Sequence, residues 1–192
     1  MTRLFLFTVL TLSALCSWAK GTASNDTLGI FAVYADSIQR MEKISHSKIK
    51  TSGALGSMMT MGLAKTKAKL EFRGKTSPYH FDHSAHFRFY FGATDISQVA
   101  QCYMFSGSYS IRDFGIAKFE VKKNKRLMQG MTTSLINTDM GAELSEDVKI
   151  KTNELRPDVY DMTIEGAPGE YCIVFTGTGY PGFTGVYDFT IE

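Results

Sequence analysis

Apolar and polar residues alternate with a period of two along several stretches of the chain. The clearest stretch runs from Ala64 to Arg73, where charged side chains occupy every second position. A period of two is typical of a β-strand with one packed face and one solvated face. The same pattern returns at residues 117–122, 147–152, 159–164 and 187–192. These stretches predict half-buried strands, the last of which buries Tyr187, Phe189 and Ile191.

Other segments are apolar without alternation. "LGIFAVYA" from Leu28 predicts a first strand, while "FRFYFG" from Phe87 and "EYCIVFTG" from Glu170 predict central strands. Turn-forming residues separate these runs, as in "KKNK", "RPD", "EGAPGE" and "GTGYPGFTG". Many short strands between such turns predict an all-β fold, an antiparallel β-sandwich.

The amino-terminal residues have the layout of a cleavable secretory signal. Arg3 precedes an apolar run of about 13 residues that ends at Cys16, and the small residues Ser17 and Ala19 follow. That run is shorter than the ~20 residues of a membrane-spanning helix. We expect cleavage after Ala19 and export to the periplasm or the extracellular space, with no membrane span. The alternative, a lipid on Cys16, needs a small residue where Leu15 stands.

Length and charge narrow the set of functions. We expect residues 1–19 to be the signal peptide, residues 20–27 a polar leader and residues 28–192 a single domain of ordinary size. The whole chain carries 21 basic and 19 acidic residues, a formal net charge of +2. That balance argues against a nucleic-acid binder, which needs a concentrated positive field.

Two cysteines, Cys102 and Cys172, follow the predicted signal. In an oxidising exported compartment a single pair predicts a disulfide, which would stabilise the fold by about 2–4 kcal/mol. The alternative is two buried free thiols, because "CYMF" and "CIVF" both have the composition of core strands.

Three short motifs resemble a group of uncharacterised exported bacterial β-proteins. The first is a strand of the form D-F-x-(L/I)-(V/A)-(K/R), here Asp113–Lys118, ahead of a basic turn and Arg126. The second is P-G-E-Y at the start of a strand, here Pro168–Tyr171, and the third is a closing D-F-x-I, here Asp188–Ile191. The resemblance covers Leu28 to the carboxyl terminus. It implies a β-sandwich and no particular activity, and it gives the histidines no role.

Four candidate metal ligands, His80, Asp82, His83 and His86, lie within "YHFDHSAHF". We expect a loop here that ends where the strand at Phe87 starts. Imidazole and carboxylate groups suit Zn²⁺ or a similar divalent ion. The spacing H-x-x-H-x-x-H is not a recognised metal signature, so we interpret the cluster as loop histidines and keep a metal site as the alternative.

Two basic stretches could bind an anionic partner. Lys65, Lys67 and Lys69 line one strand face and would suit an anionic polymer, phospholipid head groups or an acidic glycan. We interpret this stripe as a solvated strand face, whose edge lysines discourage aggregation. The basic turn at residues 122–126 is interpreted in the same way, as solvated charge.

Loop aromatics and carboxylates are the remaining candidates. The segment "GTGYPGFTG" has Tyr180 and Phe183 at the tip of a predicted hairpin, where the rings could contact a ligand or fold back to cap the sandwich. Glu165, Glu170 and Asp188 could pair for glycoside hydrolysis, although each also fits a structural role at a turn or strand end.

The sequence therefore predicts a non-catalytic, exported β-sandwich that binds an envelope or extracellular partner, protein or glycan, without a cofactor. No G-x-S-x-G motif occurs, which argues against a hydrolase with that nucleophile. One alternative is a carbohydrate-binding module that uses loop tyrosines such as Tyr180. A second is a metal-dependent enzyme at the cluster of His80, His83 and His86.

Overall fold

The structure is a computed structural model that describes residues 29–53, 59, 65–91, 110–133, 138–140, 142–176 and 185–192. The predicted signal peptide and polar leader lie outside the described residues, and so do Cys102, Tyr180 and Phe183. What the sequence predicts for them stays a prediction. No helix in the described part of the chain has the length and hydrophobicity of a membrane span.

The fold is all-β, and its strands form three sheets. The front sheet has the order β11 (Lys149–Arg156), β12 (Val159–Glu165), β6 (Ser84–Tyr90), β1 (Gly29–Val33), β2 (Ile38–Arg40). The middle sheet has the order β5 (His80–Phe81), β14 (Tyr187–Ile191), β13 (Gly169–Phe175), β7 (Phe114–Lys118). The back sheet has the order β10 (Thr138–Met140), β9 (Lys125–Thr133), β4 (Thr66–Arg73), β3 (Lys48–Ser52), and β8 (Glu120–Lys122) also pairs with β9.

Almost all of this pairing is antiparallel. The exception is β5, which runs parallel to β14 at Thr190 and Ile191. A 3-10 turn, Ile111–Asp113, leads into β7, and the Ser110 hydroxyl caps it by accepting a hydrogen bond from the Arg112 amide. The predicted antiparallel β-sandwich is confirmed.

The middle sheet is buried on both faces, so the sandwich has three layers. Between the front and middle sheets lies an aromatic core, in which the Phe87 and Phe189 rings are 4.9 Å apart and Phe89 meets Phe114 at 5.2 Å. Between the middle and back sheets lies a smaller core, made of Leu70, Phe72, Ala117, Phe119, Met128, Cys172, Val174 and Val186. Burial on both sides explains why β13 is apolar at nearly every position.

Several predicted strands are confirmed. β4 alternates as expected, with Ala68, Leu70 and Phe72 buried and the last two packed in the core shared with the middle sheet. β6 is central, between β12 and β1. On β12, Met162 and Ile164 are buried in the aromatic core.

Two strand predictions are wrong in their detail. The stretch 117–122 is not one half-buried strand, because the chain leaves the middle sheet at Phe119 and joins the back sheet as β8, where Val121 is 46% exposed. The stretch 147–152 forms part of β11, an edge strand exposed along its whole length, where Ile150 is 42% exposed. Alternation alone does not reveal whether a partner layer extends far enough to cover a strand.

Candidate functional site

The four candidate metal ligands are divided between two sheets. His80 belongs to β5 of the middle sheet, and its Nδ1 lies 2.7 Å from Oε1 of Glu192. His86 belongs to β6 of the front sheet, where its ring nitrogens lie 3.3 Å from the Ser84 hydroxyl and 3.2 Å from the Thr163 hydroxyl. The loop predicted for these residues is therefore wrong for His80 and His86, which lie in strands.

Asp82 and His83 form the sharp turn between those strands. His83 has a φ of 59°, in the left-handed region that a histidine adopts mainly in turns. All four residues belong to the described part of the chain, and within it no three His, Cys, Asp or Glu side chains are grouped so that they could hold a metal ion.

Cys172 is fully buried between the middle and back sheets. Its sulfur lies 3.5 Å from the sulfur of Met128 and 3.7 Å from the carbonyl oxygen of Ala117. Burial raises the pKa of this thiol well above its ordinary value, and the nearby Asp188 carboxylate adds to the rise. Because Cys102 lies outside the described residues, the disulfide between the two cysteines stays a prediction.

A buried ion cluster, formed by Arg126, Glu170 and Asp188, joins the back sheet to the middle sheet. Nη1 of Arg126 donates to Oδ2 of Asp188 at 2.6 Å and to Oε2 of Glu170 at 3.2 Å. The three side chains are only 4%, 6% and 1% exposed. Thr190 and the Ser77 amide donate to the two oxygens of Glu170 at 2.7 Å and 3.0 Å.

The ion cluster corrects the interpretation of the basic turn as wholly solvated, because Arg126 is buried. Along β9, Lys125 faces solvent and Arg126 faces the middle sheet, where its guanidinium lies 5.0 Å from the Phe119 ring centre. Glu170 and Asp188 both pair with Arg126 inside the core. Glu165 is remote from them, since it lies on the front sheet and pairs with Lys151.

Charged side chains cover the outward surface of the back sheet, which we call the basic face. Strand register brings seven basic residues to this side together with three acidic ones. They are Lys48, Lys50, Lys67, Lys69, Arg73, Lys122 and Lys125, with Glu71, Glu120 and, at the register position next to Thr132, Asp139. Seven against three leaves an excess of four positive charges. The predicted edge position of the lysine stripe is wrong, because β4 lies between β9 and β3.

Two carboxylates of the basic face, Glu71 and Glu120, are each shared by two lysines. Glu120 pairs with Lys122 at 2.6 Å and Lys69 at 2.7 Å, and hydrogen bonds from these two ammonium groups lower its pKa to about 2. Glu71 pairs with Lys50 at 2.8 Å and Lys125 at 3.0 Å, which lowers its pKa in the same way.

The other three cations of the basic face, Lys48, Lys67 and Arg73, form no ion pair with any residue that the structure describes. Their charges face solvent and are therefore open to a partner.

A pocket lies at one corner of the basic face, where β4 ends. Its volume is about 440 Å³, and it is lined by Ile44, Ser45, Ser47, Phe72, Arg73 and Arg126. Arg126 forms part of its inner wall, since Nη2 donates to the Arg73 carbonyl at 3.4 Å. The pocket therefore connects the solvated charges of the basic face with the buried ion cluster.

Sequence reasoning identified the parts of this surface without joining them. The lysine stripe and the basic turn are some 50 residues apart in the chain, and only the register of β4 with β9 and β8 brings them together. The segment "KIKTS", with lysines at positions 48 and 50, also alternates with a period of two, but no strand was predicted there from the sequence.

No protein-family model matches the chain, and no curated protein matches it either. The resemblance to exported bacterial β-proteins therefore stays a prediction.

Proposed function

We propose that the chain is a non-catalytic binding module that takes an anionic polymer on its basic face, outside the cytoplasm. The excess of four positive charges on one sheet surface carries the proposal, because the whole chain has a formal net charge of only +2. Charge concentrated on one face of a nearly neutral protein attracts an oppositely charged partner to that face.

Like charges stand directly opposite one another on this surface. Lys122, Lys125 and Arg73 form one row across β8, β9 and β4. Lys69 and Lys50 form another across β4 and β3. Directly opposed like charges destabilise a sheet, so an arrangement of this kind favours a role in which a partner supplies the opposite charge.

The dimensions favour an extended partner. Neighbouring strands are about 4.8 Å apart, so the four strands that carry the basic face span roughly 14 Å. A single small anion reaches only one of the rows, whereas a polymer with an anionic group on each unit reaches several. Leu127, an apolar residue on this surface, is buried, so the face offers charge rather than an apolar surface for insertion into lipid.

The outer surface of the front sheet offers a contrast. Arg88 forms a two-pronged ion pair with Asp161, with distances of 2.7 Å and 3.0 Å. Lys151 pairs with Glu165 at 2.6 Å. Phe31 is covered, with its ring against that of Tyr90 at 5.1 Å. Arg88 and Lys151 each have a carboxylate of their own, whereas Glu71 and Glu120 of the basic face are each shared by two lysines, and this difference supports the back sheet as the binding surface.

The titratable core groups support binding rather than catalysis. Glu170 and Asp188 are engaged by Arg126 inside the core, and Cys172 has no solvent exposure. The secretory pattern of residues 1–19 supports a location where anionic surface glycans are available. Tyr180 and Phe183, the predicted aromatic contacts, are not needed for this proposal.

The test compares two double charge reversals in the protein without residues 1–19. Lys48→Glu with Lys67→Glu changes the basic face without leaving Glu71 or Glu120 unpaired. Lys149→Glu with Lys151→Glu makes the same change in net charge on the front sheet. Affinity for polygalacturonate is measured by biolayer interferometry at low salt and at 0.5 M salt.

We expect the basic-face variant to bind about tenfold or more weakly, the front-sheet variant to bind like wild type, and high salt to weaken wild-type binding. Equal losses in the two variants would contradict the proposal, because binding would then follow net charge rather than a particular surface. If wild type bound none of several polyanions, the proposed function would be wrong.

A further inference from the structure

We infer that the pocket at the corner of the basic face binds one acidic sugar unit of the polymer, with the anionic group of that unit on Arg73. This inference rests on the proposed function and adds the class of the bound unit. It follows from the groups that line the pocket, from their hydrogen bonds and from their position beside the rows of cations.

Ser45, Ser47 and Arg73 border the pocket, and Arg73, whose side chain lies on the basic face, adds a positive charge at the edge of the pocket. The Arg73 guanidinium and the Ser45 hydroxyl have no hydrogen-bond partner among the residues that the structure describes. Ser47 already donates to the Glu71 carbonyl at 3.0 Å and keeps its oxygen as an acceptor. The described lining includes no carboxylate. A ligand that satisfies Arg73 must therefore present anionic oxygen, for which the guanidinium is a two-pronged donor.

Arg126 gives the pocket a fixed wall. Its guanidinium is held by Glu170 and Asp188, and these carboxylates offset its charge. Its Nε is buried and finds no partner among the described residues. Arg73 is thus the lining residue whose charge is not already matched, and we assign the anionic group of the ligand to it.

The remaining lining favours a sugar ring over a nucleotide or a bare anion. Ile44 adds apolar surface, which suits the C–H groups of a sugar, while the serines suit its hydroxyls. Phe72 is only 1% exposed, so it offers no free ring face on which a base could stack. The volume of about 440 Å³ falls within the roughly 300–1,000 Å³ of ligand pockets and is large for a single phosphate.

The position of Arg73 links the pocket to the polymer. Arg73 lies directly opposite Lys125 and so ends the row that begins at Lys122. A chain lying along this row brings one of its units to the pocket.

The experiment uses monomers and a polymer on the same variants. Wild type, Arg73→Gln, Ser45→Ala and the control Lys149→Gln are titrated by NMR with D-galacturonate, D-galactose 6-phosphate and D-galactose. Polygalacturonate binding of each variant is measured in parallel. All three substituted positions are exposed, and amide spectra verify that each variant is folded.

We expect galacturonate, galactose 6-phosphate or both to shift the amide signals around Ser45, Ser47 and Arg73, while galactose leaves them unchanged. Arg73→Gln should weaken this binding at least about tenfold, and Ser45→Ala should weaken it less. Lys149→Gln should bind like wild type. The two acidic sugars distinguish a carboxylate from a phosphate as the preferred group.

Galactose binding as tightly as the acidic sugars, or full acidic-sugar binding by Arg73→Gln, would overturn the inference. Absence of any monomer binding would overturn it too. If the polymer still bound the basic face in that case, the proposed function would stand without the pocket. If the polymer did not bind either, both the proposed function and the inference about the pocket would be wrong.

Discussion

Two arginines from neighbouring strands of the back sheet face opposite sides of that sheet and differ in burial and in ion pairing. Arg126 on β9 faces inward, is 4% exposed, and donates to Glu170, Asp188 and the Arg73 carbonyl. Arg73 on β4 faces outward in line with Lys125, and no described residue forms an ion pair with it.

The difference shows how burial decides what a charge does in this fold. Moving a guanidinium out of water costs several kcal/mol, so the inner arginine needs carboxylates from the middle sheet. The outer arginine keeps its hydration and needs none. Inner charges therefore hold two sheets in register, whereas outer charges remain open to a partner.

Replacing Arg126 with Met should have the largest effect on stability. It leaves two carboxylates buried without a counter-charge, which costs about 3–5 kcal/mol and lowers the Tm by roughly 6–20 °C. The matched variant Arg73→Met should stay within about 0.5 kcal/mol of wild type. Urea unfolding followed by circular dichroism measures both. Similar free energies of unfolding for the two variants would show that the inner and outer arginines do not differ as described.

Changing Asp188 to Asn should have an intermediate effect. The amide oxygen still accepts from Arg126, and one carboxylate, Glu170, remains to balance its charge, so we expect a loss of about 1–3 kcal/mol. Asp161→Asn provides the control on the outer side of the front sheet, where exposed ion pairs contribute at most ~1 kcal/mol. Urea unfolding followed by circular dichroism measures the free energy of unfolding of both variants. A cost for Asp188→Asn no greater than that for Asp161→Asn would count against the ion cluster as a stabilising contact.

The smallest effect should come from acid titration of the basic face. The pKa of Glu120 is about 2 in the folded chain and 4.5 without its lysines, so its stabilising contribution is complete above about pH 4.5. That contribution is lost as the pH falls from about 4.5 to 2. Glu120→Gln should flatten this part of a plot of Tm against pH, and 1 M salt should reduce the difference from wild type. Parallel curves down to pH 2 would contradict the shared ion pairs.

Features that depend on the local pattern of apolar and polar residues could be predicted from the sequence. Alternation in β4 predicted which side chains are buried, and the apolar run of β13 predicted a central strand. In β14 the pattern was only half informative, because Asp188 and Thr190 on its polar side are also buried. A period of two distinguishes the faces of a strand, but it does not reveal that a second sheet covers the polar one.

Features that depend on long-range register could not be predicted. Arg126 meets Glu170 and Asp188 from 44 and 62 residues away, and no local signal links them. The pocket likewise needs the segment before β3 to lie beside the end of β4. The lysine stripe and the basic turn were each interpreted as solvated charge, because neither is large by itself. Their joint excess exists only once β3, β4, β9 and β8 are aligned.

Lysine footprinting with and without a bound polymer tests most directly whether the outer face of the back sheet is the binding surface. The folded protein is labelled briefly with an amine-reactive reagent in the presence and absence of polygalacturonate, and modified peptides are quantified by mass spectrometry. We expect the polymer to protect Lys48, Lys67 and Lys125 several-fold, and to leave Lys149 and Lys151 of the front sheet unchanged. Protection spread equally over both sheets, or concentrated on Lys149 and Lys151, would contradict the basic face as the binding surface.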